Sequence, residues 1–252
     1  MGDSMNEKKR RRGIYLLPNL FTTAGLFAGF YAIVAAMNGR FEAAAIAIFV
    51  AMVMDGIDGR IARMTNTQSD FGKEYDSLAD MISFGIAPAL VMYSWALGGL
   101  GKLGWLAAFL YTAAAALRLA RFNTQAASAD KGYFQGLASP AAAALVIGMV
   151  WLCHDNGLSG GDVAWLALIV TVIGGVLMVS NVRYHSFKNI DLKGKVPFVS
   201  ILVVVLVFVF ISISPPLVLF GLAFIYASSG VIGTLLELRR RKSARRNGED
   251  GV

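Results

Sequence analysis

Residues 55–80 read DGIDGRIARMTNTQSDFGKEYDSLAD, and most of what the chain does follows from how this stretch is read. Four of its aspartates form two pairs, Asp55 with Asp58, three positions apart, and Asp76 with Asp80, four apart. At those spacings each pair shares one face of a helix. Gly59 and Ala62, four and seven residues beyond Asp55, lie near the first face and leave backbone bare where a bulky ligand must come close. Residues 69–73, which include Gly72, are expected to turn the chain so that the two faces meet.

Apolar sequence flanks both halves of the stretch. A carboxylate in a membrane helix costs about 2.5–3.5 kcal/mol at the helix centre and less near the interface. Four of them in one pocket also repel one another. Two divalent cations would balance their charge. Oxygen ligands without nitrogen or sulfur favour Mg2+ or Mn2+ over zinc. Two metals held by carboxylates at a membrane surface suit phosphoryl chemistry, because they stabilise a diphosphate and its leaving phosphate and align an acceptor hydroxyl. A spare carboxylate can take the hydroxyl proton. Helix capping and pairing with Arg60, Arg63 or Lys73 would explain one such aspartate, but not four at helical spacing among glycines.

The whole chain agrees with a membrane setting. Of 252 residues, 56% are hydrophobic and 15% charged, a composition outside the soluble range. The single cysteine, Cys153, excludes an intrachain disulfide, and one cysteine with two histidines excludes a zinc cluster. Residues 1–12 are polar and basic, and no short apolar run with a small-residue cleavage site follows, so no cleaved signal peptide is expected. Apolar runs at 20–37, 41–54 (about 20 residues if the helix continues to Arg60), 75–97, 103–119, 138–152, 163–180, 196–213 and 216–236 predict eight transmembrane helices. Gly39, Gly98, Gly99, Gly157, Gly160, Gly161 and the pair Pro215 and Pro216 mark the turns on one side.

With eight crossings, 21 of the 23 lysines and arginines fall on one side, leaving Arg40 and Lys102 on the other. The positive-inside rule then makes both termini and the aspartate stretch cytoplasmic. The net charge of +7 therefore reads as juxtamembrane contact with anionic membrane lipids, not as a nucleic-acid surface. The expected segments are a basic N-terminal piece (1–18), a membrane core (19–181), a basic cytoplasmic loop (182–195), two further membrane helices (196–237) and a basic tail (238–252).

The pattern D-x2-D-G-x2-A-R-x8-G-x3-D-x3-D is filled without a gap by Asp55, Asp58, Gly59, Ala62, Arg63, Gly72, Asp76 and Asp80. In this the chain resembles the CDP-alcohol phosphatidyltransferases. The resemblance implies an all-α integral membrane enzyme, usually a homodimer, with a six-helix catalytic core that here corresponds to 19–181. Such an enzyme transfers a phosphatidyl group from a CDP-linked lipid to an alcohol and releases CMP. It also implies that Asp55, Asp58 and Asp76 ligate two divalent metals, that Asp80 contributes to the metal site and acts as base, and that Gly59, Ala62, Arg63 and Gly72 line the cytidine diphosphate site.

Four further stretches, PNLFT (18–22), DSLADMISFGIAP (76–88), LRLARFN (117–123) and FQGLASPAAAA (134–144), resemble the bacterial-type members of that family that use L-serine as acceptor and CDP-diacylglycerol as donor. Ala138 departs from the proline expected there. The resemblance implies a bacterial cell (inner) membrane enzyme whose active site faces the cytoplasm. A zwitterionic acceptor needs a cation for its carboxylate, and Arg118, Arg121 and Lys131 are the candidates for that carboxylate or for diphosphate. Ordinary positive-inside anchoring is the other explanation of these cations. Asn19 and Thr22 open the first span and are candidates to hydrogen-bond the nucleotide, or simply helix-start residues.

Glycerol 3-phosphate or an inositol phosphate stays open as the acceptor. An ion-coupled transporter would want its carboxylates near mid-bilayer, and these gather at one edge. Cys153 and His154 are expected at the far side, His185 in a cytoplasmic loop, and Gly25 with Gly29 as a helix-packing pair.

Overall fold

A computed structural model of the chain describes residues 3–65, 69–125, 133–185 and 198–249. Its order is α1 (Asp3–Met37), α2 (Phe41–Met64), α3 (Asp70–Asp80), a π-helical turn (Met81–Ile86), α4 (Ala87–Trp95), a 3-10 turn (Leu97–Leu100), α5 (Lys102–Gln125), β1 (Tyr133–Gln135), α6 (Ser139–Asp155), α7 (Ala164–Val179), β2 (Arg183–His185), α8 (Phe198–Ile213) and α9 (Pro215–Glu249). Among the described residues, four helical stretches are long and apolar enough to cross a membrane: Pro18–Met37, Asp70–Trp95, Lys102–Thr124 and Pro215–Glu237. Shorter apolar helices run Ser139–Asp155 and Ala164–Val179.

α1 and α2 pair closely because their contact face is built from small residues. Ala28, Ala32, Ala35 and Ala36 meet Ala44, Ala45, Ile48 and Ala51, all buried. Lipid tails are as apolar as these side chains, so close backbone approach, not hydrophobic burial, holds such helices together. Gly39, at φ +71°, makes the tight reversal between them, a left-handed conformation that suits glycine. The outer faces carry Phe27, Phe30, Phe109, Trp165 and Phe224, each more than half exposed. A bundle with alanine inside and large apolar side chains outside is built for lipid.

The π-helical turn interrupts the third helical stretch immediately after Asp80. Its wide backbone is held from two sides. Ser83 Oγ donates to the Gly25 carbonyl at 3.1 Å and Tyr111 Oη donates to the Phe84 carbonyl at 3.1 Å. A Cβ on Gly29 would lie 2.8 Å from Ser83 Cα, so only glycine lets α1 approach here.

The fold is mostly helical, with one short ribbon in which β1 and β2 pair antiparallel, Phe134 opposite Tyr184. The ribbon therefore takes up the start of the expected loop at 182–195; residues 186–195 lie outside the described residues. Residues 69–73 do not turn the chain. Ser69 caps α3, its hydroxyl accepting from the Gly72 amide at 3.0 Å, and the helix runs from Asp70. The third helical stretch accordingly begins five residues before the expected 75.

Candidate functional site

The last turns of α2 carry Asp55 and Asp58, and α3 carries Asp76 and Asp80. The four line one pocket together with Thr22 and Gly25 of α1 and Ser83 of the π-helical turn. Asp70, also in the stretch, faces outward and pairs with Lys73 at 3.3 Å.

Asp58 is 4% exposed, and Thr22 Oγ1 donates to its Oδ2 at 2.8 Å. The same hydroxyl lies 3.2 Å from the Pro18 carbonyl. It has one proton, and the charged, closer acceptor takes it. Thr22 thus fixes one carboxylate oxygen of the pocket from a neighbouring helix.

Asp55, Asp76 and Asp80 each offer a carboxylate oxygen, and these oxygens lie within 4.8 Å of one another. Opposite ligands on one divalent cation sit about 4–5 Å apart for metal–oxygen bonds of about 2.1–2.5 Å. The donor set is hard oxygen throughout, and the three groups are half-buried. The residues fit a divalent metal. Asp58 stands outside this triad but lines the same pocket.

Around the triad, Asn19 Oδ1 approaches Gly72, where a Cβ would sit 3.5 Å from it. Thr23 Oγ1 and Tyr75 Oη are 2.9 Å apart, a second tie between α1 and α3. Gly59 is exposed, with nothing within 4 Å of where its Cβ would be. Ala62 is half-buried, and the exposed Arg63 folds back along α2, its Nε donating to the Gly59 carbonyl at 2.8 Å.

The two arginines of α5 behave differently. Arg118 is half-buried, its Nη1 donates to Ser139 Oγ at 3.2 Å, and its guanidinium interacts electrostatically with Asp80. Arg121 reaches the end of α7, donating to Asn181 Oδ1 at 2.9 Å and to the Val179 carbonyl at 3.4 Å. Lys131 lies outside the described residues, as does the side chain of His185.

Several residues of the site carry no signal in the sequence. Ser83, Ser139 and the pair Ser77 with Asn123, linked at 3.0 Å, are polar groups whose partners lie 21 to 58 positions away. No spacing rule joins residues that far apart. The π-helical turn is equally silent, since its sequence MISFGI is that of an ordinary apolar helix.

The model of the CDP-alcohol phosphatidyltransferase family matches residues 15–178. A Helicobacter pylori protein named CDP-diacylglycerol–serine O-phosphatidyltransferase is 41% identical over 196 residues, covering 78% of this chain and 83% of that one. A Mycobacterium leprae protein of the same name is 34% identical, covering 75% of this chain and 64% of its own. A third of that name, from Bacillus subtilis, is 31% identical over 69% of this chain and 92% of its own.

Proposed function

The chain belongs to the CDP-alcohol phosphatidyltransferase family, and from that premise we propose that it transfers the phosphatidyl group of CDP-diacylglycerol to the hydroxyl of L-serine, releasing CMP. The observation that carries this reading is the carboxylate triad on two adjoining helices, in a chain 41% identical to a relative named for that reaction.

Asp55, Asp58, Asp76 and Asp80 would hold two divalent cations, Mg2+ or Mn2+. When bound, these supply positive charge beside the diphosphate and the departing phosphate. The chain's own residues do the rest. Thr22 keeps Asp58 in one orientation. Bare backbone at Gly59 gives the cytidine end room, and Ala62, Arg63, Gly72 and Asn19 complete that side. The diacylglycerol chains stay in lipid against the apolar outer faces. Asp80 takes the proton of the serine hydroxyl as its oxygen bonds to the lipid-side phosphorus. The bond from that phosphorus to the bridging oxygen breaks, and CMP leaves with the oxygen. Arg118, which interacts electrostatically with Asp80, is our candidate to hold serine carboxylate or diphosphate; Arg121 donates to Asn181 at the end of α7.

The described helices form eight helical segments when α3, the π-helical turn and α4 count as one. We read each as a crossing, with both termini and the pocket on the cytoplasmic side of a bacterial cell membrane, and the working enzyme as a homodimer. The split of lysines and arginines in the sequence supports the orientation.

Purified protein in detergent, given CDP-diacylglycerol, L-serine and Mg2+ or Mn2+, is expected to yield phosphatidylserine and CMP in equal amounts, identified by mass spectrometry. A product formed only with glycerol 3-phosphate or an inositol phosphate would overturn the serine assignment.

A further inference from the structure

Of the 11 residues of α3 only Ala79 is buried, so apolar packing does little to fix how this helix is rotated about its axis. Rotation matters here, because α3 carries Asp76 and Asp80, two of the three carboxylates of the triad. We infer that Tyr75 and Ser77, the residues either side of Asp76, are positioning residues that set the rotation of α3 and with it the aim of both carboxylates. The inference rests on the function proposed above.

Each is tied to a different helix. Thr23 on α1 gives its one proton to the Asn19 carbonyl at 2.7 Å, so the Tyr75 phenol is the donor in the 2.9 Å contact with Thr23 Oγ1. Phe71, one turn earlier on α3, stacks on the Tyr75 ring at 6.0 Å between centroids and 14° between planes, which limits where the phenol points. On α5, the Asn123 amide nitrogen donates to Ser77 Oγ at 3.0 Å, and the Ser77 hydroxyl lies 3.3 Å from Asn123 Oδ1. Both Tyr75 and Ser77 are half-buried.

Their order along the helix is what makes two ties a clamp. Residues two apart on a helix point about 200° apart, so Tyr75 and Ser77 are held on nearly opposite sides of the axis. Asp76 projects between them, and Asp80, four residues on, points about 40° from Asp76. A side-chain end about 5–6 Å from the axis moves about 2 Å when a helix rolls by about 20°. That is about the length of a bond from oxygen to a divalent metal. Such a roll would take a ligand away from its ion. Thr22, next to Thr23, holds Asp58 of α2, so one turn of α1 sets both acidic helices against each other.

The test is the Mn2+ affinity of the purified full chain, read by electron paramagnetic resonance with CDP-diacylglycerol present, and thermal unfolding is followed on the same samples. Tyr75→Phe and Ser77→Ala, and on the partner helices Thr23→Val and Asn123→Ala, should each weaken Mn2+ binding about three- to tenfold, the range for one lost hydrogen bond, with the protein still folded. Ser77→Thr, which keeps a hydroxyl, should bind as the native protein does. Each pair shares one tie, so Tyr75→Phe with Thr23→Val, and Ser77→Ala with Asn123→Ala, should lose no more than the single changes. Affinity within about twofold of native in the variants of either pair overturns the inference. So do paired changes whose losses multiply, or a loss in Ser77→Thr equal to that in Ser77→Ala. A native protein that binds no Mn2+ overturns the metal reading and the clamp together. One that binds Mn2+ but makes no phosphatidylserine overturns the serine assignment alone, and the affinities still decide the clamp.

Discussion

Asp58 and Thr22 stand 36 positions apart in the chain and 2.8 Å apart in the fold. Spacing along the sequence brings out the aspartates, because pairs three and four apart share a helix face. It is blind to what holds them, since the holding groups come from other helices. A neighbour that orients a metal ligand typically shifts metal affinity about 10–100-fold. Thr22→Val, which keeps the shape and drops the donor, should raise the Mn2+ concentration for half-maximal CMP release about tenfold with little change in the maximal rate. An unchanged Mn2+ dependence would remove Thr22 from the site. Asp80→Asn preserves size but cannot take a proton. Its kcat should fall about 10²–10⁴-fold with the protein still folded, as followed by CMP release beside thermal unfolding in detergent.

Helices are read from sequence more securely than their ends. Ser69, Asp70 and Gly72 suggest a turn by composition, yet Ser69 is an N-cap and the helix is already under way at Gly72. A serine followed by an acidic residue in the first turn is itself a helix-start signal. Glycine in the first turn masked it. Loss of the cap costs about 1 kcal/mol, so Ser69→Ala should lower the unfolding temperature by a few degrees without moving Asp76 or Asp80. The consequence is larger at Gly29, where α1 meets the π-helical turn. A Cβ there lies 2.8 Å from Ser83 Cα, so Gly29→Val must push α1 away from the turn that follows Asp80. We expect this variant to lose both stability and CMP release, whereas Ser83→Ala, which removes one hydrogen bond worth about 1 kcal/mol, should keep most of both.

Across the whole molecule, composition and apolar runs foretell a helical membrane bundle, and the ribbon of β1 and β2 is what they miss. Its strands are three residues each, too short to show a period of two. They nonetheless tie the segment before α6 to the segment after α7, and β2 in turn tethers α9. The proposed orientation can be tested by cysteine labelling after Cys153 is replaced. A cysteine at Gly157 should react with an impermeant maleimide from outside intact cells, and one at Ser243 only after the membrane is opened; the reverse pattern would invert the molecule. The account as a whole stands on cations held by Asp55, Asp76 and Asp80. Electron paramagnetic resonance of Mn2+ titrated into the purified protein with CDP-diacylglycerol tests this most directly. Two bound ions per chain, with binding lost in Asp55→Asn and Asp76→Asn, is the expected result; undiminished binding in those variants would contradict it.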